Sequence, residues 1–234
     1  MSWLHVTDAE WQAISLSLKV ASIATALSLP FGIFAAVILA RWRFRGKVLV
    51  DALIHLPLVL PPVVTGYVLL LLFGRRGPIG AWLEQTFGIV LAFRWTGAAL
   101  ACAIMGFPLM VRAIRLAIEG IDQRLEQAAG TLGASPVWVF FTVTLPLALP
   151  GVIAGAVLCF AKALGEFGAT ITFVSNIPGE TQTIPSAIYS YTQVPGGEDG
   201  ALRLSIIAVI IALAALVMSE WLSRRAGMRG GRPS

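Results

Sequence analysis

Charge is scarce in this 234-residue sequence: Asp, Glu, Lys and Arg make up 12% of it, against about a quarter in soluble domains. Cysteine is scarce too. Cys102 and Cys159 both lie inside hydrophobic runs, which predicts buried thiols and argues against a disulfide framework. Hydrophobic residues reach 57%, and the mean hydropathy is +0.84. The sequence therefore excludes a soluble globular domain and predicts a polytopic membrane protein.

The sequence patterns of enzyme sites are missing as well. There is no GxxxxGK[ST] phosphate loop, so the chain cannot be an ATP-binding subunit. It has no carboxylate pair at catalytic spacing, no His/Cys cluster for a metal and no nucleophile elbow. We expect no catalytic residue, metal or cofactor in this chain, which is not an enzyme by itself. The net charge of +5 indicates membrane topology rather than affinity for nucleic acid.

Hydrophobic runs long enough to cross a bilayer, about 20 residues each, account for most of the chain. They leave no room for a soluble domain of about 100 residues, so residues 1–234 are predicted to form one transmembrane domain. We expect an all-α bundle of about five spans; six is the alternative, if residues 184–191 belong to a crossing helix rather than a peripheral one. The five runs cover residues 13–40, 48–73, 95–118, 147–171 and 204–222.

The distribution of Lys and Arg predicts the orientation of these spans. The segments assigned to the cytoplasm hold four, three and four basic residues, whereas the N-terminal segment holds none and the outer loops hold three and one. The N-terminus is therefore expected outside and the C-terminus in the cytoplasm. Arg75, Arg76 and Arg94 run against the rule; they face an acidic docking protein or an anionic substrate, or are simply solvated. The cytoplasmic set is Arg41, Arg43, Arg45, Lys47, Arg112, Arg115, Arg124, Arg224, Arg225, Arg229 and Arg232.

Helix breakers crowd the second run, which reads "LPLVLPPVVTGY" over residues 56–67. Lipid cannot satisfy the backbone carbonyls that Pro61 and Pro62 set free, so this run is predicted to face protein or a water-filled path. Asp51 and His55 lie one helical turn apart in the same run. A hydrogen-bonded packing pair is the simpler interpretation of these two residues, and a functional pair is the alternative.

One pair of opposite charges lies deep in the fourth run. Either Lys162 or Glu166 alone would cost about 2.5 to 3.5 kcal/mol at the bilayer centre, but at i and i+4 they can neutralise each other. The pair is a candidate for the pore or gate, with a pure packing role as the alternative. Gly165 and Gly168 flank Glu166 and would let another helix come close.

The segment from residue 120 to 146 is predicted to be a helix-turn-helix. A short helix covers residues 125–131, and Gly133 provides a break that tolerates positive φ. Ser135 and Pro136 suit the cap and first position of a second helix over residues 137–143, which Leu145-Pro146 would stop. A helix-turn-helix at the membrane face is either a docking surface or an interfacial amphipathic helix with no partner.

The spacing of Ala128, Ala129 and Gly133, followed by Leu145-Pro146, resembles the EAA loop of ABC importer permeases. In that family the loop is a cytoplasmic helix that docks into a cleft on the ATPase subunit. The family pattern has an acidic residue directly before the two alanines. Here Gln127 stands there and Glu126 lies one position earlier, so either residue could make the polar contact.

The resemblance extends over about residues 13 to 225. "LGEFGAT" is similar to the oxyanion group, which includes sulfate and thiosulfate permeases, and the continuation "NIPGETQTIP" resembles the permeases of molybdate importers. The resemblance implies the type I ABC importer fold in a bacterial inner membrane and alternating access. It also implies a permease homodimer, two cytoplasmic ATPase subunits that bind ATP and Mg, and a periplasmic molybdate-binding protein. A stand-alone secondary transporter is a remote alternative, because the chain shows no internal repeat.

Overall fold

The computed structural model describes residues 5–229, apart from the side chains of residues 223, 224 and 226–229, and this part of the chain is all-helical. Arg232 and the side chains of Arg224 and Arg229 lie outside the described residues. The helices are α1 (Asp8–Arg41), α2 (Lys47–Val59), α3 (Pro62–Phe73), α4 (Pro78–Phe87), α5 (Trp95–Glu119), α6 (Gln123–Thr131), α7 (Pro136–Val139), a π-helical segment (Phe140–Thr144), α8 (Leu145–Leu164), α9 (Gly168–Val174), α10 (Ile184–Thr192) and α11 (Glu198–Arg229).

Among the described residues, four helices are long and apolar enough to cross a membrane: α1, α5, the helix Pro136–Leu164 and residues Glu198–Leu222 of α11. The bent pair α2 and α3 makes a fifth if it counts as one span. The nine residues of α10 extend about 14 Å, far less than the hydrocarbon core of about 30 Å. The six-span alternative, which needs α10 to cross, therefore finds no support.

The centre of the bundle is formed by α1 and α5, which run parallel. Ala24 of α1 shares a buried cluster with Cys102 of α5, and Leu39 shares the next cluster along with Ile114. Residue numbers thus increase in the same direction on both helices. A parallel pair needs a returning segment between its members, and α2 to α4 provide that segment.

The third central helix, α8, runs antiparallel to α5. Gly151 of α8 lies against Ala117, and Cys159 lies against Gly106 nearer the start of α5. A Cβ atom at Gly106 would stand 2.6 Å from the Cys159 sulfur, so this crossing requires glycine. Cys102 and Cys159 are both free and buried, which confirms the prediction for the thiols.

The two ends of the bundle differ in what they carry. At the first, which we call the α10 end, Arg203 of α11 donates from Nη2 to the buried carboxylate of Glu10 at 2.6 Å. There the backbone N–H of Ile184 also donates to Ser17 Oγ at 2.7 Å, which fixes α10 against α1. The opposite end, the α6 end, holds the end of α1, α6 and the start of the helix that includes α8. The N-terminus of α1 and the helix-turn-helix therefore lie at opposite ends.

The second run is not one helix, as the sequence predicts over residues 48–73. It breaks between α2 and α3, whose axes are bent by 112°. Leu60 is extended because a following proline disfavours the helical region, and Pro62 starts the new helix at its first position. The sequence thus locates the helix break correctly, but it does not predict that the chain turns sharply there into a second helix.

The prediction for the fourth run, residues 147–171, is wrong at both ends. Leu145-Pro146 does not stop the preceding helix, because the Leu145 N–H bonds to the Phe140 carbonyl, a π-type bond. This widened turn makes room for the proline ring, so the helix continues from Pro136 to Leu164. It ends where Gly165 caps it, and α9 is a separate short helix.

Candidate coupling surface and gate

The turn of the helix-turn-helix has the local structure that the sequence predicts. Gly133 adopts φ +86° and ends the first helix, and the Ala134 N–H donates to the Ala129 carbonyl at 3.2 Å. The Ser135 hydroxyl accepts from the Trp138 N–H at 3.3 Å, with Pro136 at the first helical position. The turn is therefore short and hydrogen-bonded, and α6 is held at a fixed angle to the long helix that follows.

Glu126 ties the helix-turn-helix to the bundle. Its carboxylate accepts from Arg41 Nη2 at 3.0 Å and from the Thr144 hydroxyl at 2.7 Å. Arg41 is the last residue of α1, and Thr144 lies in the π-helical segment. Gln127 is exposed. Of the two residues that the sequence leaves open, Glu126 makes a polar contact inside the chain and Gln127 faces outward.

The helix-turn-helix exposes several large apolar side chains among its polar ones. Leu132 at the turn is 89% exposed, and Ala128 and Pro146 are exposed as well, whereas Ala129 and Leu145 are half-buried. An exposed apolar patch of this kind marks a contact with another protein or with a membrane. The other large apolar side chains exposed here are Leu125, Val137, Trp138 and Phe141.

A second candidate site lies where α3 packs against α9. A Cβ atom at Gly66 would overlap the backbone of Ala169, and one at Gly168 would stand 2.7 Å from Pro62 Cβ. Pro62 and Gly168 thus form a close helix contact within one chain. Gly165 does not, because an added Cβ atom would meet only the carbonyl oxygen of Ala161 in its own helix, at 3.8 Å. Within this chain Gly165 ends α8, and the approach of a helix from a second subunit to Gly165 stays a prediction.

Lys162 and Glu166 form the expected ion pair, with Nζ 2.7 Å from Oε2. The Glu166 side chain is 1% exposed and that of Lys162 is 30% exposed. The second carboxylate oxygen accepts from the Ala169 N–H at 3.0 Å. Glu166 therefore caps the start of α9 as well as neutralising Lys162. The spacing of the two residues could not predict this cap, because the hydrophobic run gives no sign of the helix break.

Asp51 and His55 serve packing in this structure. His55 Nδ1 lies 2.8 Å from the Asp51 carbonyl oxygen, and the Asp51 carboxylate pairs with Arg115 of α5 at 3.1 Å. Arg115 also pairs with Glu119 at 2.8 Å. These contacts hold α2 on α5 near the α6 end, and sequence reasoning missed Arg115 because it lies 64 residues away from Asp51.

The α3–α9 contact predicts a large response to a small substitution. We expect Gly66→Val to lower the free energy of unfolding by about 1–3 kcal/mol, because the new side chain meets backbone that cannot move aside. The matched control is Gly165→Ala, whose added Cβ atom has space. Thermal unfolding of the detergent-solubilised protein measures both. An unchanged midpoint for Gly66→Val would show that α3 and α9 are not in close contact.

The long apolar helices are those of a multi-pass membrane protein with a helix-turn-helix at one end, and comparison with known proteins gives the family. The family model "Binding-protein-dependent transport system inner membrane component" matches residues 28–227, and the chain belongs to this family. It is 64% identical over 227 residues to the molybdenum transport system permease protein ModB of Escherichia coli K12, covering 97% of this chain and 99% of that one. The ModB protein of Haemophilus influenzae is 61% identical over 216 residues, covering 92% and 94%.

Solved structures agree on the fold. The chain superposes on a subunit of a bacterial ABC transporter that imports the acidic polysaccharide alginate, with a TM-score of 0.74 and 18% identity, over 94% of this chain and 80% of that one. At this identity the likeness concerns the fold alone. The protein therefore has the fold of type I ABC importer permeases. Its family membership and its ModB relatives make it a multi-pass membrane protein and a transport subunit.

Proposed function

We propose that this chain is the permease through which an ATP-driven importer moves molybdate across the bacterial inner membrane. The observation that carries the proposal is the 64% identity to a molybdenum transport permease over nearly the whole of both chains. A sulfate or thiosulfate permease is the second candidate, because these dianions share the tetrahedral shape and charge of molybdate and the "LGEFGAT" segment is similar across the oxyanion group.

The proposed assembly is a permease homodimer with two cytoplasmic ATPase subunits and a periplasmic molybdate-binding protein. ATP and Mg would bind to the ATPases, since this chain has no phosphate loop. The binding protein would supply most of the substrate selectivity, so the permease needs only a water-filled path of modest positive potential. The apolar patch around Leu132 would be the surface that docks into the ATPase.

The proposed orientation rests on the basic residues at the α6 end of the bundle. Arg41 lies at the α6 end, directly before Arg43, Arg45 and Lys47, which suits the cytoplasm. The α10 end would then face the periplasm, with the N-terminus outside and the C-terminus inside. The helix Pro136–Leu164 is about 43 Å long, more than the hydrocarbon core of about 30 Å, so its first turns would project to the ATPase.

The contacts suggest how movement would pass from the ATPase to the path. Glu126 joins the helix-turn-helix to α1 and to the start of the long helix. At the far end of that helix, Glu166 holds α9 through the Ala169 N–H, and α9 packs on α3. A shift of the docked loop would thus reach α9 and α3 through the long helix and the Glu166 contact, and alternating access would result.

Transport in proteoliposomes tests the proposal. The permease is reconstituted with the ATPase and binding protein from its own genome, and uptake of labelled molybdate and labelled sulfate is followed with and without ATP. We expect ATP-dependent accumulation of molybdate. A tenfold excess of sulfate should barely reduce it, because sulfate should bind the complex much more weakly than molybdate. Accumulation of sulfate alone would favour the second candidate. Molybdate uptake by the permease without the ATPase would contradict the proposal and indicate a secondary transporter.

A further inference from the structure

A cleft of about 780 Å³ opens between α1, α2 and α5. Its walls are almost entirely apolar. Ile23, Leu27 and Phe31 contribute from α1 at intervals of four residues, so they lie on one face of that helix. Leu27 is 64% exposed and Phe31 67% exposed. The proposed function makes no use of this cleft.

Cations lie at one end of the cleft. Lys19 is one turn before Ile23 on the same face of α1, and its Nζ stands 3.8 Å from the centre of the Trp95 ring. Trp95 lines the cleft, and the exposed Arg94 directly precedes it. Among the described residues, neither Lys19 nor Arg94 has a carboxylate partner. Neither cation lines the cleft itself, but both neighbour Trp95 at its end: Lys19 through its contact with the ring and Arg94 as the preceding residue. Tryptophan is typical of the membrane interface.

The length of the cleft matches one leaflet of a bilayer. Lys19 and Phe31 are twelve residues apart, about 18 Å at 1.5 Å per residue, and half of the hydrocarbon core is about 15 Å. At the far end from Lys19, the lining comes from α2, including Leu53 and Pro57. A spanning helix of a second copy would cross the full depth of about 30 Å, which is more than the length of this cleft. The dimensions therefore favour a lipid over a helix.

We propose that the cleft is a binding site for one anionic phospholipid. The acyl chains lie between α1 and α5 along Ile23, Leu27 and Phe31, and the headgroup phosphate accepts hydrogen bonds from Lys19 and Arg94. The lipid belongs to the leaflet at the α10 end. This assignment also explains why Arg94 stands on the side where basic residues are rare, since a phosphate neutralises it. It is independent of which oxyanion the permease carries.

Lipid retention tests the charged end of the site. Purified wild-type permease, in its assembled complex, is incubated with phosphatidylglycerol or phosphatidylcholine and examined by native mass spectrometry. We expect phosphatidylglycerol to be retained by the wild type, and its retention to fall roughly tenfold in Lys19→Gln/Arg94→Gln, which removes both cations. The control is Arg75→Gln/Arg76→Gln, which removes two exposed charges that have no lining residue of the cleft next to them in the sequence. Equal retention by all three proteins would overturn the assignment.

Photo-cross-linking tests the apolar end without changing a charge. A benzophenone probe is attached to Leu27→Cys; both native cysteines are buried and should not compete for the reagent. After reconstitution with phosphatidylglycerol, we expect illumination to give an adduct with lipid mass. An adduct between two permease chains at this position would show that a second copy covers the cleft and would overturn the proposal.

Discussion

The Lys162→Met variant is expected to lose about 3 kcal/mol of stability, the lower end of the range for breaking a buried ion pair. The substitution would leave the Glu166 carboxylate charged and without its partner, with its side chain 1% exposed. The Lys162 side chain is 30% exposed, so the pair is only partly shielded from solvent, and this favours the lower end of the range. The thermal midpoint in detergent measures the loss. A midpoint equal to that of the wild type would show that the pair does not stabilise the fold.

The double variant Lys162→Met/Glu166→Gln separates packing from gating. Glutamine keeps a side-chain oxygen that can accept from the Ala169 N–H, so the cap of α9 survives while both charges disappear. We expect the midpoint to return close to the wild-type value. If the pair lines the gate, molybdate uptake should nevertheless fall roughly tenfold, or the vesicles should leak small anions. Full uptake at normal stability would retire the gate hypothesis and leave a packing role.

In the loop, Gly133→Pro is expected to reduce ATP-driven uptake roughly 100-fold while the protein still inserts. Proline cannot adopt the φ of +86° found there, and it removes the N–H that donates to the Gly130 carbonyl. No atom lies within 4 Å of a Cβ placed at Gly133, so the bundle itself should not respond. Ala129→Glu, which puts a long charged side chain on the docking helix, is expected to have the same effect.

Gly196→Pro is the matched control for the loop variant. Gly196 has φ +81° and equally open surroundings, but it follows α10 at the other end of the bundle. We expect this variant to keep the wild-type amount of co-purified ATPase, whereas Gly133→Pro loses it. Normal uptake and normal ATPase co-purification in Gly133→Pro would contradict the docking assignment.

The sequence predicts well what depends on neighbouring residues. The positive φ at Gly133, the cap at Ser135 and the i, i+4 contact of Lys162 with Glu166 are all confirmed, because each follows from one or two helical turns. The third run, residues 95–118, differs from α5 by a single residue. Hydropathy located the other runs, but with boundaries that shift by up to eleven residues at the start of the fourth run.

What the sequence could not predict depends on partners far along the chain or on unusual helical turns. Leu145-Pro146 ought to end a helix, and only the π-type turn before it allows continuation. The contact of Gly66 with Ala169 requires knowing that two interrupted helices meet. The hydropathy pattern indicates no break at Gly165, because Phe167 and the residues after it are as apolar as a continuing span.

Cross-linking of single cysteines tests the central claim, that the helix-turn-helix is the surface on which the ATPase acts. Leu132→Cys is the probe, because Leu132 is 89% exposed and the native Cys102 and Cys159 are buried. Gly196→Cys is the control at the α10 end. In membranes that contain the assembled complex, we expect a short bifunctional reagent to join Leu132→Cys to the ATPase and to leave Gly196→Cys unlinked to it. A cross-link from Gly196→Cys, or none from Leu132→Cys, would contradict this account.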